Sequence, residues 1–205
     1  MSSLSPSCAP TPLEALILKV QAAIYPRVAP LEITRWRTPE PVPFSARESG
    51  ERSALALGQP WGKNLFDCAW MRFRAELPAN ATGPLVARLD INGELCVVDA
   101  AGVPVRGLTN IKSTFDETLG GPGKTIYKLP PDLIRGGHLE LWADCALNDL
   151  FGFIKDNGVV ALAEVSSVRE DLRQLYYDLE TLHDFLKGQG PHRQTLLSDL
   201  ERIAA

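Results

Sequence analysis

The sequence of 205 residues has few of the groups that mark several classes of protein. It contains three histidines and four cysteines, and it has no C-x-x-C pair that could hold a metal or exchange disulfides. The cysteines are far apart in the chain. This spacing is more typical of small buried side chains that stay reduced than of a disulfide framework or a ligand set. They are Cys8, Cys68, Cys96 and Cys145.

Basic clusters and long apolar runs are also missing. A net charge of -4 and a pI near 5.4, without clustered Lys and Arg, argue against a nucleic-acid surface. No apolar run has membrane-spanning length, and the first residues, MSSLSPSCAPTP, lack the charged and apolar regions of a signal peptide. We therefore expect a cytoplasmic protein with no nucleic-acid and no membrane partner.

Strand patterns dominate the middle of the chain. Apolar residues alternate with polar ones over residues 70–77 and again over residues 85–91, as in strands with one buried face. Asn92-Gly93 has the composition of a type I′ turn, which predicts a β-hairpin over residues 85–98. Further short strand signals continue to residue 165 without helical crossovers. We therefore predict a mainly β fold with an antiparallel β-sandwich.

Helical patterns lie at the two ends. Thr11, Pro12 and Glu14 form a capping-box signature, and an apolar stripe follows it at helical spacing. A second stripe covers residues 168–186, and Pro191 starts another helix that runs to the last residue. This last apolar face has no following element, so we expect the sequence to be a piece of a longer protein. The alternative is a natural end in which the last helix packs on the long one.

These patterns divide the chain into five parts. We predict a disordered N-terminus (1–10), an N-terminal helix (11–25), a proline-rich arm (26–60), a β-sandwich domain (61–165) and a helical segment (166–205).

Chemical motifs are weak. The Gly-rich run 120–125 is not followed by a helix, so it predicts a loop and not a phosphate site. His138 and Glu140 lie on one face of a predicted strand, but no second ligand pair accompanies them. No G-x-S-x-G motif is present, and an acidic pair cannot be identified from the spacing of the carboxylates. We assign no catalytic, cofactor-binding or metal-binding residue.

Aromatic residues provide the remaining candidate site. Trp61, Trp70 and Trp142 are candidates for glycan contact, because sugars stack on exposed aromatic rings and Trp70 falls on the polar face of its strand. The alternative is that these rings belong to a core or cover a neighbouring segment.

Several motifs, taken in order, resemble a known family. They are WG at 61–62, CAWMRF at 68–73, LP at 77–78, the run DINGELCVVDAAGVPVRGL at 90–108, AEV at 163–165 and LYYDLETL at 175–182. This series is similar to the N-terminal β-sandwich of the cytosolic-type α-mannosidases of glycoside hydrolase family 38. The similarity extends over most of residues 13–205.

The resemblance implies a jelly-roll, galactose-binding-like sandwich in a protein that hydrolyses α-mannosides with retention of configuration. In that family an Asp nucleophile and a divalent metal, usually zinc, belong to a catalytic domain that begins after the matched region. This chain has no His-x-Asp motif, so no catalytic or metal residue carries over to it, and the zinc is implied for the parent only. The implied role is a structural and interaction domain, with the catalytic domain of the same parent chain as its partner. A homo-oligomer is a further candidate assembly. The alternative function is a stand-alone carbohydrate-binding sandwich for mannose-type glycans.

Overall fold

The computed structural model describes residues 9–109, 124–148, 158–187 and 191–204. The chain divides into two compact units. The β unit is Arg27–Ser167, and the helical unit consists of Met1–Pro26 and Val168–Ala205. The Gly-rich run 120–125 lies largely outside the described residues, as do Cys8 and the N-terminal residues 1–8.

The β unit contains two antiparallel sheets. One has the strand order β1-β11-β5-β8, and the other has the order β3-β2-β4-β10-β6-β7 with the short β9 paired to β10. The strands are β1 Arg27–Pro30, β2 Glu32–Thr38, β3 Glu51–Leu55, β4 Cys68–Glu76, β5 Leu85–Asp90, β6 Glu94–Val98, β7 Pro104–Thr109, β8 Ile126–Lys128, β9 Ile134–Arg135, β10 His138–Ala146 and β11 Leu162–Ser167.

The core of the β unit lies between the inner faces of these sheets. Alternate residues of β4, such as Met71 and Phe73, are buried there with alternate residues of β5, such as Ala87 and Leu89. Period-two burial on strands from both sheets is the packing of a β-sandwich. The predicted fold class is therefore confirmed.

The predicted hairpin over residues 85–98 is wrong. β5 pairs with β11 and β8, whereas β6 pairs with β10 and β7 in the other sheet. Residues 91–93 form a corner at which the chain crosses between the sheets, and of Asn92 and Gly93 only Asn92 has a positive φ, of 49°. A corner and a tight turn both favour Asn-Gly locally, so the dipeptide alone does not decide which sheet the next strand joins.

Residues 26–60 also contain more regular structure than an arm with one edge strand. β1 lies at the edge of one sheet and β2 pairs with both β3 and β4 inside the other. The prolines permit this because Pro30 ends β1, and the prolines of residues 39–43 follow β2 and so remove no donor from it.

The helical unit contains α1 (Pro12–Ala23), α2 (Glu170–Lys187) and α3 (Pro191–Ala204). The capping box at the start of α1 is confirmed. The Thr11 hydroxyl accepts from the Glu14 N–H at 3.3 Å, and the Glu14 carboxylate accepts from the Thr11 N–H at 3.0 Å. A buried cluster of α1 residues and Tyr176 holds the unit together. Among the described helices, none is long and apolar enough to cross a membrane.

Candidate functional site

Trp61 is a structural residue of the sandwich corner. Its side chain is 1% exposed, and its indole N–H donates to the carbonyl oxygen of Ile91 at 2.7 Å. The Asn92 side-chain amide donates to the Val159 carbonyl oxygen at 2.9 Å on the same corner. The expectation that Trp61 offers an exposed ring is corrected, because these contacts enclose it.

Trp70 and Trp142 lie on the outer face of the larger sheet, as the alternation predicted for Trp70, but they are only 4% and 8% exposed. They form an outer-face aromatic cluster with Trp36, Val98 and the partly buried Val42 and Phe44. Residues 42–47 cover this cluster. The Trp70 indole donates to the Val42 carbonyl oxygen at 2.9 Å, and the Arg47 guanidinium lies 4.7 Å from the Trp142 ring centroid. The rings of Trp70 and Trp142 therefore pack against residues 42–47 instead of facing solvent. This packing corresponds to the alternative interpretation of these residues.

A cavity of about 870 Å³ opens beside this cluster, and we call it the sheet-face cavity. Its floor is the outer face of β4 and β10, and its walls are the turn after β6 and the segment that leads into β9. Its polar lining residues are Arg74, Glu76, Asp99, Tyr127, Asp132, Arg135, His138 and Glu140. Its apolar lining includes Val98, Ala100, Ala101, Val105, Leu133 and the edge of Trp142.

Ion pairs between β4 and β10 fix the floor of the cavity. The strands pair in register, so that Glu76 is opposite His138 and Arg74 is opposite Glu140. His138 Nδ1 lies 2.6 Å from Glu76 Oε1, and Arg74 lies 2.6 Å from Glu140 Oε2. The Trp142 indole donates to Glu140 Oε1 at 3.0 Å. Burial would raise the pKa of Glu140, but the hydrogen bonds from Trp142 and Arg74 outweigh it, so the pKa is lowered and the carboxylate stays charged.

The wall of the cavity carries polar groups of a different kind. Within the part of the chain that the structure describes, the side chains of Asp132 and Arg135 make no hydrogen bond or ion pair. Both residues are exposed and line the cavity. Burial and the nearby carboxylates of Asp132 and Asp99 raise the pKa of Tyr127, so its phenol keeps its proton and can donate. The Asp99 carboxylate instead accepts from the N–H groups of Ala101 and Val103, which shapes the turn after β6.

Metal ligands and reactive thiols are not gathered at this cavity. Among the described residues, no three His, Cys, Asp or Glu side chains are placed to hold a metal ion. His138 and Glu140 do share a face of β10, as predicted, but each is paired to a different residue of β4. Burial raises the pKa of the Cys96 thiol, and burial with the Asp144 and Cys96 groups raises that of Cys145 further, which disfavours the nucleophilic thiolate.

Sequence reasoning missed the sheet-face cavity as a unit. Its polar residues come from three separate stretches of the chain, and the register of β4 on β10 brings two of these stretches together. One signal was present in the sequence: the alternation of β10 places His138, Glu140 and Trp142 on a single face.

These features define the class of the molecule. It is an antiparallel β-sandwich domain with a helical unit, and among its described residues no group of His, Cys, Asp or Glu side chains is placed to hold a metal ion. A scan against protein families matches residues 29–181 to the family described as alpha-mannosidase, jelly roll domain. The chain belongs to this family, and the match supports an N-terminal domain of a mannosidase-like protein. A search of curated proteins found no match.

Proposed function

We propose that this domain serves a parent α-mannosidase of glycoside hydrolase family 38 and docks through its helical unit on the catalytic domain of the same chain. The parent hydrolyses α-mannosides, and the zinc or other divalent metal of that reaction belongs to the catalytic domain. The described residues of this chain offer no ligand set that fits such an ion.

The observation that carries the proposal is the apolar surface left on α2 and α3. Phe185 is 56% exposed and Ile203 is 77% exposed, and Leu175, Leu182 and Leu196 are exposed as well. Leu175 and Leu182 are seven residues apart on α2, and Leu196 and Ile203 are seven apart on α3, so each pair lies along one side of its helix. Large exposed apolar groups arranged in this way are typical of an interaction surface.

These side chains are additional to the core of the helical unit. The buried or partly buried contacts of α2 come from Leu172, Tyr176, Leu179 and Leu186. The apolar residues of α2 therefore extend around more of the helix surface than α1 and α3 cover. The Arg193 guanidinium lies 4.3 Å from the Phe185 ring centroid, which keeps this ring beside the start of α3.

The family match supports the choice of partner. It identifies the sandwich as one domain of an α-mannosidase, and the match ends at residue 181, within α2. The apolar sides of α2 and α3 thus extend beyond the matched sandwich domain. A catalytic domain of the same chain is present at high effective concentration, so even a modest apolar patch gives stable docking.

A double substitution in the parent chain tests the docking. Leu196→Asp with Ile203→Asp places two charges on the exposed apolar side of α3, where they do not disturb its packed residues. We expect this variant to lose aryl α-mannosidase activity on heating at a lower temperature than the parent. The matched control is Thr181→Asp, a charge added at an exposed position of α2, and it should behave as the parent does.

Equal heat inactivation of the double variant and the parent would contradict the docking. Self-association of the 205-residue chain that the same double substitution abolishes would also contradict it, because the face would then bind a second copy. Size-exclusion chromatography with light scattering measures this homo-oligomer directly.

We also propose that the parent acts in the cytoplasm. The described cysteines Cys68, Cys96 and Cys145 are free thiols, which is the usual state in a reducing compartment. A disulfide in the purified native parent would contradict this location.

A further inference from the structure

We infer that the sheet-face cavity is a binding site for a neutral saccharide. This site is independent of the docking face of the helices and does not use the three buried tryptophan rings as stacking platforms. The choice of mannose-type probes rests on the proposed function, whereas the chemical class of ligand follows from the cavity itself.

The size and lining of the cavity suit a small polar ligand with apolar faces. Ligand sites typically enclose about 300–1,000 Å³, and this cavity has about 870 Å³. Leu133, Val105 and the edge of Trp142 provide apolar surface. A sugar ring has C–H faces that pack on such surface and hydroxyl groups that need donors and acceptors around the rim.

The charges of the cavity favour a neutral ligand. Four carboxylates line it, against two guanidinium groups and one imidazole. Arg74 is paired with Glu140 and His138 with Glu76, so among the described residues Arg135 is the lining cation without a side-chain partner. Asp132 offsets the charge of Arg135, and the excess of carboxylates disfavours a phosphorylated or acidic ligand.

Asp132 and Arg135 are the groups that would contact the ligand. A carboxylate accepts from two neighbouring hydroxyl groups, and a guanidinium donates to two oxygens in a plane. Both side chains are free of hydrogen bonds and ion pairs within the described residues, so neither has to leave a protein partner when a sugar enters. The protonated phenol of Tyr127 supplies a further donor.

Titration calorimetry of the 205-residue chain with mannobiose and mannotriose tests the inference. We expect saturable binding, with Asp132→Asn and Arg135→Ala each weakening the Kd by at least about tenfold. Asp199→Asn is the matched control, since this exposed carboxylate lies on α3, where it pairs with Arg202, and it should leave the Kd unchanged. Unchanged urea midpoints show that the variants are folded.

No heat with any neutral oligosaccharide would overturn the inference. Equal binding by the Asp132→Asn and Arg135→Ala variants would overturn it too, as would binding of a Lys- and Arg-rich peptide in place of sugar. Binding of gluco- or galacto-oligosaccharides alone would support the saccharide cavity and count against the proposed mannosidase parent. The substitutions on α3 that test docking should not change this titration. The docking proposal and the saccharide-binding proposal can therefore be contradicted independently.

Discussion

The indole N–H of Trp61 donates to the carbonyl oxygen of Ile91 across 30 residues of sequence, at a distance of 2.7 Å. This bond fastens the corner at which the chain leaves β5 for the other sheet. The Arg35 guanidinium in turn donates to the Trp61 carbonyl oxygen, which ties β2 to the same place. The corner is therefore held by side chains that are distant in sequence.

Loss of the Trp61 hydrogen bond should destabilise the sandwich. Trp61→Phe leaves the buried Ile91 carbonyl oxygen without its donor and removes part of a packed ring, so we expect the free energy of unfolding to fall by at least about 2 kcal/mol. Urea unfolding measures this change. Trp70→Phe is the matched control, and its cost should be nearer 1 kcal/mol because its acceptor, Val42, lies in a covering segment. An equal loss of unfolding free energy in Trp61→Phe and Trp70→Phe would contradict the stabilising role of the Trp61 hydrogen bond at the corner.

Gly93 is required at the same corner by close packing. A Cβ on Gly93 would lie 2.8 Å from the backbone oxygen of Ala146 and 3.1 Å from Trp61. We expect Gly93→Ala to lower the free energy of unfolding by about 1–3 kcal/mol. Gly107→Ala in β7 meets no atom within 4 Å and should be neutral within about 0.5 kcal/mol. An unchanged free energy of unfolding in Gly93→Ala would show that the corner can accommodate a Cβ atom at this position.

Asp67 should make part of the free energy of unfolding depend on pH. Burial raises the pKa of this carboxyl, but N–H groups of Lys63 and Asn64 and the Arg37 guanidinium together outweigh burial, so its folded pKa is lowered. A lowered folded pKa gives stability that is present above the unfolded pKa of about 3.9 and is lost as the pH falls through the folded value.

We therefore expect the free energy of unfolding to decline, as the pH falls below about 4, more steeply in the natural sequence than in Asp67→Asn. Urea midpoints across this range measure the slope, and Asp184→Asn, an exposed carboxylate on α2, is the control. If the urea midpoints of Asp67→Asn and of the natural sequence fall equally with pH, this assignment is refuted.

A carboxylate from α3 caps α1. Glu201 accepts from the Leu13 N–H at 2.7 Å, at the positive end of the α1 dipole. We expect Glu201→Ala to destabilise the helical unit by about 1 kcal/mol, measured by helical circular dichroism during thermal unfolding. Asp199→Ala removes an exposed ion pair with Arg202 and should change the stability little. If the two variants unfold alike, the cap contributes nothing.

The sequence predicted those elements that local patterns determine. Alternation located β4 and β5, because each has one buried face, and the Thr11 and Glu14 signature located the start of α1. Whether each of these elements is a helix or a strand could be predicted from residues close to it in the sequence.

Pairing and burial could not be predicted in the same way. The sheet that β6 joins depends on Trp61 and Ala146, which are remote from Asn92-Gly93 in the sequence. Trp70 is on the polar face of β4 as expected, but it is buried because residues 42–47 lie over it. The sheet-face cavity likewise needs Asp132 and Arg135 to approach β4 and β10, and no local pattern encodes that approach.

The coding sequence beyond Ala205 tests the central claim most directly, since the account requires a catalytic domain in the same parent chain. We predict that the reading frame continues into a long segment that contains a His-x-Asp motif, and that the product of the whole frame hydrolyses an aryl α-mannoside with zinc while residues 1–205 alone do not. A stop codon directly after Ala205, or zinc-dependent hydrolysis by residues 1–205 alone, would contradict the account.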